Sequence, residues 1–285
     1  MMRGRFAPSP SGPLHMGSLI TALASFFDIK KAGGSWHLRI DDIDPPRAMP
    51  EAERLIIGSL KAHGLNPEGP IQYQSAHEAY YRQALETLSE RLFYCRCSRK
   101  SLRNLQVYPG TCRDMQSPRG DSAIRLNVSG LGQFSANDPV AGLLVWTIEE
   151  SPGDFIVQRR DGLWAYNLTT AVDDGRDFDR VLRGQDLLDT TPQQLAVMHL
   201  LGLQAPSYCH IPVLCFEDGS KLSKQSQAPA INDLEAPNNL RLALTYLGLE
   251  PPHKEQTVAN WLAWGLEAWD LQRVPAKLAP FSSYV

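Results

Sequence analysis

"FAPSPSGPLHMGSL", residues 6–19, places three prolines, three serines and two glycines ahead of an apolar run. The prolines hold the chain extended, Ser9, Ser11 and Gly12 bend it, and Gly17 leaves room for a flat ring close to the backbone. GRF (4–6) reads as a short strand before this loop. After it, Leu19, Leu23 and Phe26 keep the spacing of a buried helix face, and Gly33-Gly34 ends the helix. A strand, a stiff loop and a helix in that order present backbone N–H groups and the positive helix end beyond the carboxyl edge of a parallel sheet, where anions bind. His15 is placed there as a hydrogen-bond donor to phosphate.

Outward from this unit, strands alternate with helices. SWHLRI (35–40) reads as a strand, and EAERLIIGSLKAH (51–63) and HEAYYRQALETLSERL (77–92) as amphipathic helices. Residues 95–150 break the rhythm with a Cys-rich segment and short strands, AIRLNV and LLVWTIE. The alternation resumes with FIVQRR (155–160), a helix near NLTTAVDD, the strand DRVLRG (179–184), a helix over 191–201 and the strand CHIPVL (209–214). Two helices follow, in LEAPNNLRLALTYLGL and TVANWLAWGLEAWDL. The expected fold is α/β and Rossmann-like. A parallel sheet divided over residues 1–94 and 151–228 carries an insertion at 95–150 and a short helical appendix at 229–285.

With 43% hydrophobic and 21% charged residues, the 285-residue chain can bury a core, and no run is long and apolar enough for a membrane span. The opening MMRGRFAPSP lacks the apolar core of a signal peptide, so a cytoplasmic monomer is expected. A net charge of −3 restricts any nucleic-acid site to a local basic patch. Of the five cysteines, Cys95, Cys97 and Cys112 fall within 18 residues, which suggests metal rather than a disulfide framework. Cys-x-Cys and a third Cys supply three thiolates for zinc, with Tyr108 or water as the fourth ligand. Cys209 and Cys215 read as ordinary apolar residues.

Far downstream, EDGSKLSKQ (217–225) sets Lys221 and Lys224 in a Gly/Ser loop after a strand, an arrangement that neutralises charge on a departing pyrophosphate. HMGS resembles the HIGH signature of class I aminoacyl-tRNA synthetases, and KLSKQ resembles their KMSKS signature. RFAPSPSGPLHMG is similar to the opening of the glutamyl-tRNA synthetase subgroup. So are RIDDIDPPR (39–47), AYNLTTAVDD (165–174), VLRGQDLLDTTPQQ (181–194) and HIPVLCFEDGSKLSK (210–224).

The resemblance implies a class I catalytic domain that activates glutamate with ATP and magnesium and passes it to an RNA hydroxyl. His15, Lys221 and Lys224 would be catalytic, with Gly17 also at the ATP site. Arg5, in a bidentate pair with the substrate's γ-carboxylate, would line the glutamate pocket with Phe6, Ala7, Pro8, Ser9, Asp41, Tyr166 and Arg183. Relatives commonly have Glu at the position of Asp41, which is one methylene shorter, so its contact with the α-amino group is direct or through water. The resemblance favours Tyr108 as fourth ligand to one structural zinc per chain.

About 60 residues follow Gln225, too few for an anticodon-binding domain. This resembles a truncated branch of the subgroup that activates glutamate without tRNA and esterifies the cyclopentene diol of queuosine in tRNA(Asp). Two alternatives stand beside it. One is charging of the 3′ end of tRNA(Glu); the other is a non-catalytic RNA-binding module using Arg91, Arg96, Arg99, Lys100 and Arg103.

Overall fold

The computed structural model describes residues 1–222, 228–254 and 256–281. Strands β1 (Arg3–Phe6), β2 (Ser35–Ile40) and β3 (Gln72–Tyr73) alternate with helices α1 (Met16–Lys31), α2 (Ala52–Ala62) and α3 (Glu78–Thr87). Next come β4 (Leu92–Cys95), the single turn α4 (Arg99–Leu102), β5 (Ala123–Leu126), the hairpin β6 (Gln133–Asp138) and β7 (Gly142–Thr147), and β8 (Phe155–Gln158). Helix α5 (Tyr166–Asp177), β9 (Arg180–Gly184), α6 (Thr191–Leu201) and β10 (Ser207–Ile211) follow, and α7 (Ala236–Tyr246) and α8 (Val258–Ala268) come last.

A five-stranded sheet in the order β10-β9-β1-β2-β3 is parallel throughout. The doubly wound order puts the first strand at its centre, so the loop after β1 opens at the carboxyl edge of the sheet. Met16, Leu19, Ile20, Leu23 and Phe27 bury the apolar face of α1 against β1 and β2, where Trp36 and Leu38 are fully enclosed.

The structure departs from the sequence reading in one place. FIVQRR does not rejoin the parallel sheet: β8 pairs antiparallel with β5, and β5 with β4. That three-stranded sheet extends on both sides of residues 95–150. Val, Ile and Phe satisfy a buried strand of either sense, so composition alone left the partner open.

The C-terminal helices, read as an appendix, share the main core, where Leu240, Leu244, Trp261 and Trp269 belong to the same cluster as α1. A Cβ at Gly265 would lie 2.5 Å from Phe27 Cζ, so this glycine lets α8 approach α1 closely. The hairpin β6–β7 is likewise seated on the sheet, with Phe134 and Trp146 against Val181, Leu195 and Tyr208. No helix among the described residues is long and apolar enough to cross a membrane.

Candidate active site

A cleft of about 440 Å³ opens at the carboxyl edge of the parallel sheet. Phe6, Ala7, Pro8, Ser9 and Ser11 of the loop after β1 form one wall, with His15 and Gly17 at the start of α1. Gly184, Asp186 and Leu187 after β9 and Val213, Leu214, Lys221 and Leu222 after β10 form the other. The two sequence motifs, two hundred residues apart, thus meet across one opening. Lys221 is ion-paired with Asp186. Lys224 lies outside the described residues. The flanks of its segment are both at the cleft: Leu222 lines it, and Ala230 bridges to His15.

His15 caps α1. Its Nδ1 accepts the backbone N–H of Ser18 at 3.3 Å, filling one of the orphan donors of the first helical turn. A backbone N–H can only donate, so Nδ1 carries the lone pair and the ring proton of neutral His15 sits on Nε2. Nε2 is 3.2 Å from the Ser18 hydroxyl. The cap therefore fixes the tautomer that makes Nε2 a donor. Gly17 is constrained from the same side, because a Cβ there would lie 3.2 Å from the His15 ring.

The strands that lead to the cleft also carry a buried charged network that sequence reasoning recovered only in part. Arg5 engages Asp174 through both Nε (3.1 Å) and Nη2 (2.6 Å). Arg39 bridges two carboxylates, donating from Nη1 to Asp174 at 2.7 Å and from Nε to Asp41 at 2.6 Å. Asp173 accepts from Tyr81, Gln74 and His77, each at 2.8 Å. Burial pushes the Asp174 carboxyl up, but Arg5, Arg39 and Arg183 outweigh it and hold it at about 2. Burial dominates at Asp41, whose carboxyl is pushed up despite Arg39.

Arg5 gives its Nε/Nη2 edge to Asp174, which leaves both Nη1 N–H groups and the second Nη2 N–H on its other edge for a substrate carboxylate. Both oxygens of Asp41 are on Arg39, and Asp41 also lines an adjoining cleft of about 340 Å³ with Ser9, Ser11, Asp44 and Arg47. Tyr166, half-buried, opens α5 within electrostatic reach of Arg5.

Arg183, 2% exposed, donates to His210 Nε2, Gln194 and Thr191. Asp174, Arg39 and His210 were missed as site residues. Their signal was the polar residue at alternate positions of otherwise apolar strands, Arg5 with Arg3, Arg39 with His37, and His210 with Tyr208, together with the acidic pair closing AYNLTTAVDD.

Cys95, Cys97 and Cys112 converge in the insertion with their sulfurs all within 4.8 Å of one another, a cluster that can hold a metal ion. Cys97 and Cys112 Sγ are 3.7 Å apart, and the Tyr108 hydroxyl lies 3.5 Å from Cys95 Sγ and 3.8 Å from Cys97 Sγ. Burial pushes the Cys97 thiol up. At Cys112 burial is outweighed by hydrogen bonds from Tyr108 and the Arg96 N–H, and the thiol falls to about 7.

Residues 1–106 and 90–259 match the family model for the catalytic domain of class I tRNA synthetases of the E and Q type. A glutamyl-Q tRNA(Asp) synthetase from Chromobacterium violaceum is 44% identical over 97% of this chain and 96% of its own length. One from Pseudomonas aeruginosa PAO1 is 41% identical over 95% and 94%. The glutamate-tRNA synthetase of Elizabethkingia anophelis has the same fold, with a TM-score of 0.81 at 22% identity, covering 99% of this chain and 68% of that one.

Proposed function

The chain belongs to the glutamyl-Q tRNA(Asp) synthetases, within the class I family of E and Q type, and from that premise we propose that it activates L-glutamate with ATP, without tRNA, and transfers it to the cyclopentene diol of queuosine in tRNA(Asp). The observation that carries the activation step is the meeting of His15, Gly17 and Lys221 around one cleft, with the buried Arg5 and Arg183 each next in sequence to a lining residue, Phe6 and Gly184.

The chemistry follows from charge. The α-carboxylate of glutamate attacks the α-phosphorus of ATP and pyrophosphate leaves, so negative charge moves toward the β- and γ-phosphates. His15 Nε2–H donates to phosphate oxygens, and Lys221 and Lys224 neutralise the leaving group, with magnesium accompanying ATP. Lys221 must exchange Asp186 for the nucleotide. Arg5 holds the side-chain carboxylate through its Nη1/Nη2 edge, Asp41 receives the α-amino group, Tyr166 and Arg183 complete the amino-acid pocket, and Phe6, Ala7, Pro8 and Ser9 shape it. A hydroxyl of the diol then attacks the acyl carbon and AMP leaves. The near full-length match to relatives of this one name supports queuosine as acceptor over the 3′ end of tRNA(Glu).

Cys95, Cys97, Cys112 and Tyr108 hold one zinc. Tetrahedral thiolates about 2.3 Å from zinc lie about 3.8 Å apart, and the 3.7 Å between Cys97 and Cys112 Sγ fits that spacing. The Cys112 N–H donates to the Tyr108 hydroxyl at 3.0 Å, while burial and the neighbouring thiols push the phenol well above its ordinary value, so a phenolate ligand would draw on the charge of the metal. Purified protein is expected to hold about one zinc by elemental analysis, and Cys112→Ser to lose it and loosen the insertion. Tyr108→Phe weakens retention without abolishing it. Metal-free protein prepared without chelators would refute the site.

The function is tested with labelled glutamate and bulk tRNA from cells that make queuosine and cells that do not. Label is expected only in the first, on the queuosine nucleoside after digestion. Equal labelling of both would refute the acceptor.

A further inference from the structure

Arg183 is fully enclosed, yet among the described residues no carboxylate lies within ion-pairing distance of it. Its hydrogen bonds go to neutral acceptors: Nε to His210 Nε2 at 3.0 Å, Nη1 to Gln194 at 2.7 Å and Nη2 to Thr191 at 2.9 Å. The guanidinium also lies 4.7 Å over the Tyr208 ring. A buried cation held this way depends on its acceptors being correctly oriented.

His210 Nε2 can accept only if its proton sits on Nδ1. Asp138, the last residue of β6, supplies the reason. One of its oxygens takes both the His210 backbone N–H at 2.8 Å and Nδ1 at 2.7 Å. The other is fixed by the N–H groups of Val140 and Ala141, each at 2.9 Å. Asp138 is 4% exposed and His210 is fully buried, so water does not compete for these bonds. The order is carboxylate, neutral imidazole, guanidinium, with the Asp138 carboxylate at the far end of the path.

We infer that Asp138, from the inserted hairpin, is a positioning residue for glutamate recognition: it fixes the His210 tautomer, and His210 in turn fixes Arg183. The inference rests on the reading of Arg183 as part of the glutamate pocket. The hairpin thereby acts on the amino-acid site without touching the substrate, and Asp138 and His210 act through one path.

The test is glutamate-dependent pyrophosphate exchange, with glutamate and ATP varied separately, for Arg183→Lys, Asp138→Ala, His210→Phe and the double variant. His210→Phe keeps a ring on Tyr208 but offers no acceptor. Asp138→Ala and His210→Phe are each expected to raise the KM for glutamate about tenfold, the worth of one hydrogen bond to a charged group, leaving the KM for ATP within about twofold. The double variant is expected to match the single ones, because the path is already broken. A glutamate KM unchanged in His210→Phe, equal rises in both KM values, or additive effects in the double variant would overturn the inference. If Asp138→Ala yields no folded protein, His210→Phe alone decides. An unchanged glutamate KM in Arg183→Lys would instead remove the glutamate-pocket reading on which the inference stands.

Discussion

Replacing Asp174 by Asn is expected to destabilise the folded protein by about 3–5 kcal/mol, the cost of breaking a buried ion pair by removing one partner. Asp174 is fully buried and accepts from Arg5 and Arg39 together, so its loss leaves two enclosed guanidiniums short of a counter-charge. The amide keeps the volume but turns one acceptor into a donor facing donors. Urea unfolding measures the effect, and Asp44→Asn provides the contrast. Its partners Arg47 and Arg159 are 67% and 37% exposed in the side chain, and such pairs are worth about 1 kcal/mol or less each.

The pH dependence has a definite sign. Asp174 titrates at about 2 when folded, below the ordinary carboxyl range. Its contribution is therefore fully present above about pH 4 and declines as pH falls toward 2. The difference between wild type and Asp174→Asn shrinks over that window. A constant difference from neutrality to pH 2 would contradict the pairing.

His15→Ala is expected to lower pyrophosphate exchange, measured in protein free of RNA, by about a hundredfold or more, as when one preorganised donor to developing charge is removed. The alanine also removes a helix cap, worth about 1 kcal/mol. His15→Asn separates the two roles. Asn accepts the Ser18 N–H as well as any cap residue does, so stability returns, but the donor at the position of Nε2 is gone and the rate stays low. Full exchange in His15→Asn would remove His15 from the chemistry. Exchange that requires tRNA would contradict activation inside the catalytic body.

The parallel sheet was legible because its strands are bounded by glycines and prolines and its helices keep their apolar period, as from Leu19 to Phe27. The loop of residues 6–19 and the flank of KLSKQ were legible as anion-binding elements, and the structure sets them face to face. The partnering of buried charges was not legible. Nothing in RIDD says that Arg39 faces Asp174, a residue 135 positions away, because that depends on how α5 crosses the sheet. Asp138 was hidden for the same reason. It sits in a hairpin whose seat on β10 is set by Phe134 and Trp146, residues that would suit many surfaces. The antiparallel partner of β8 was likewise a tertiary choice, made by Leu126 and Ile124 opposite rather than by its own sequence.

The identity of the acceptor is tested most directly by an isolated anticodon stem-loop of tRNA(Asp) bearing queuosine, with no acceptor stem. Labelled glutamate, ATP and the purified protein are expected to label it, and the same RNA with guanosine in place of queuosine is expected to stay unlabelled. The cyclopentene diol stands in for a terminal ribose diol, and a base in a single-stranded loop can turn outward into the cleft. Periodate cleavage of the queuosine diol should abolish the labelling, whereas a stem-loop lacking only its 3′-terminal diol should still be labelled. Glutamate found instead on the terminal adenosine of tRNA(Glu), with the queuosine stem-loop untouched, would contradict the account.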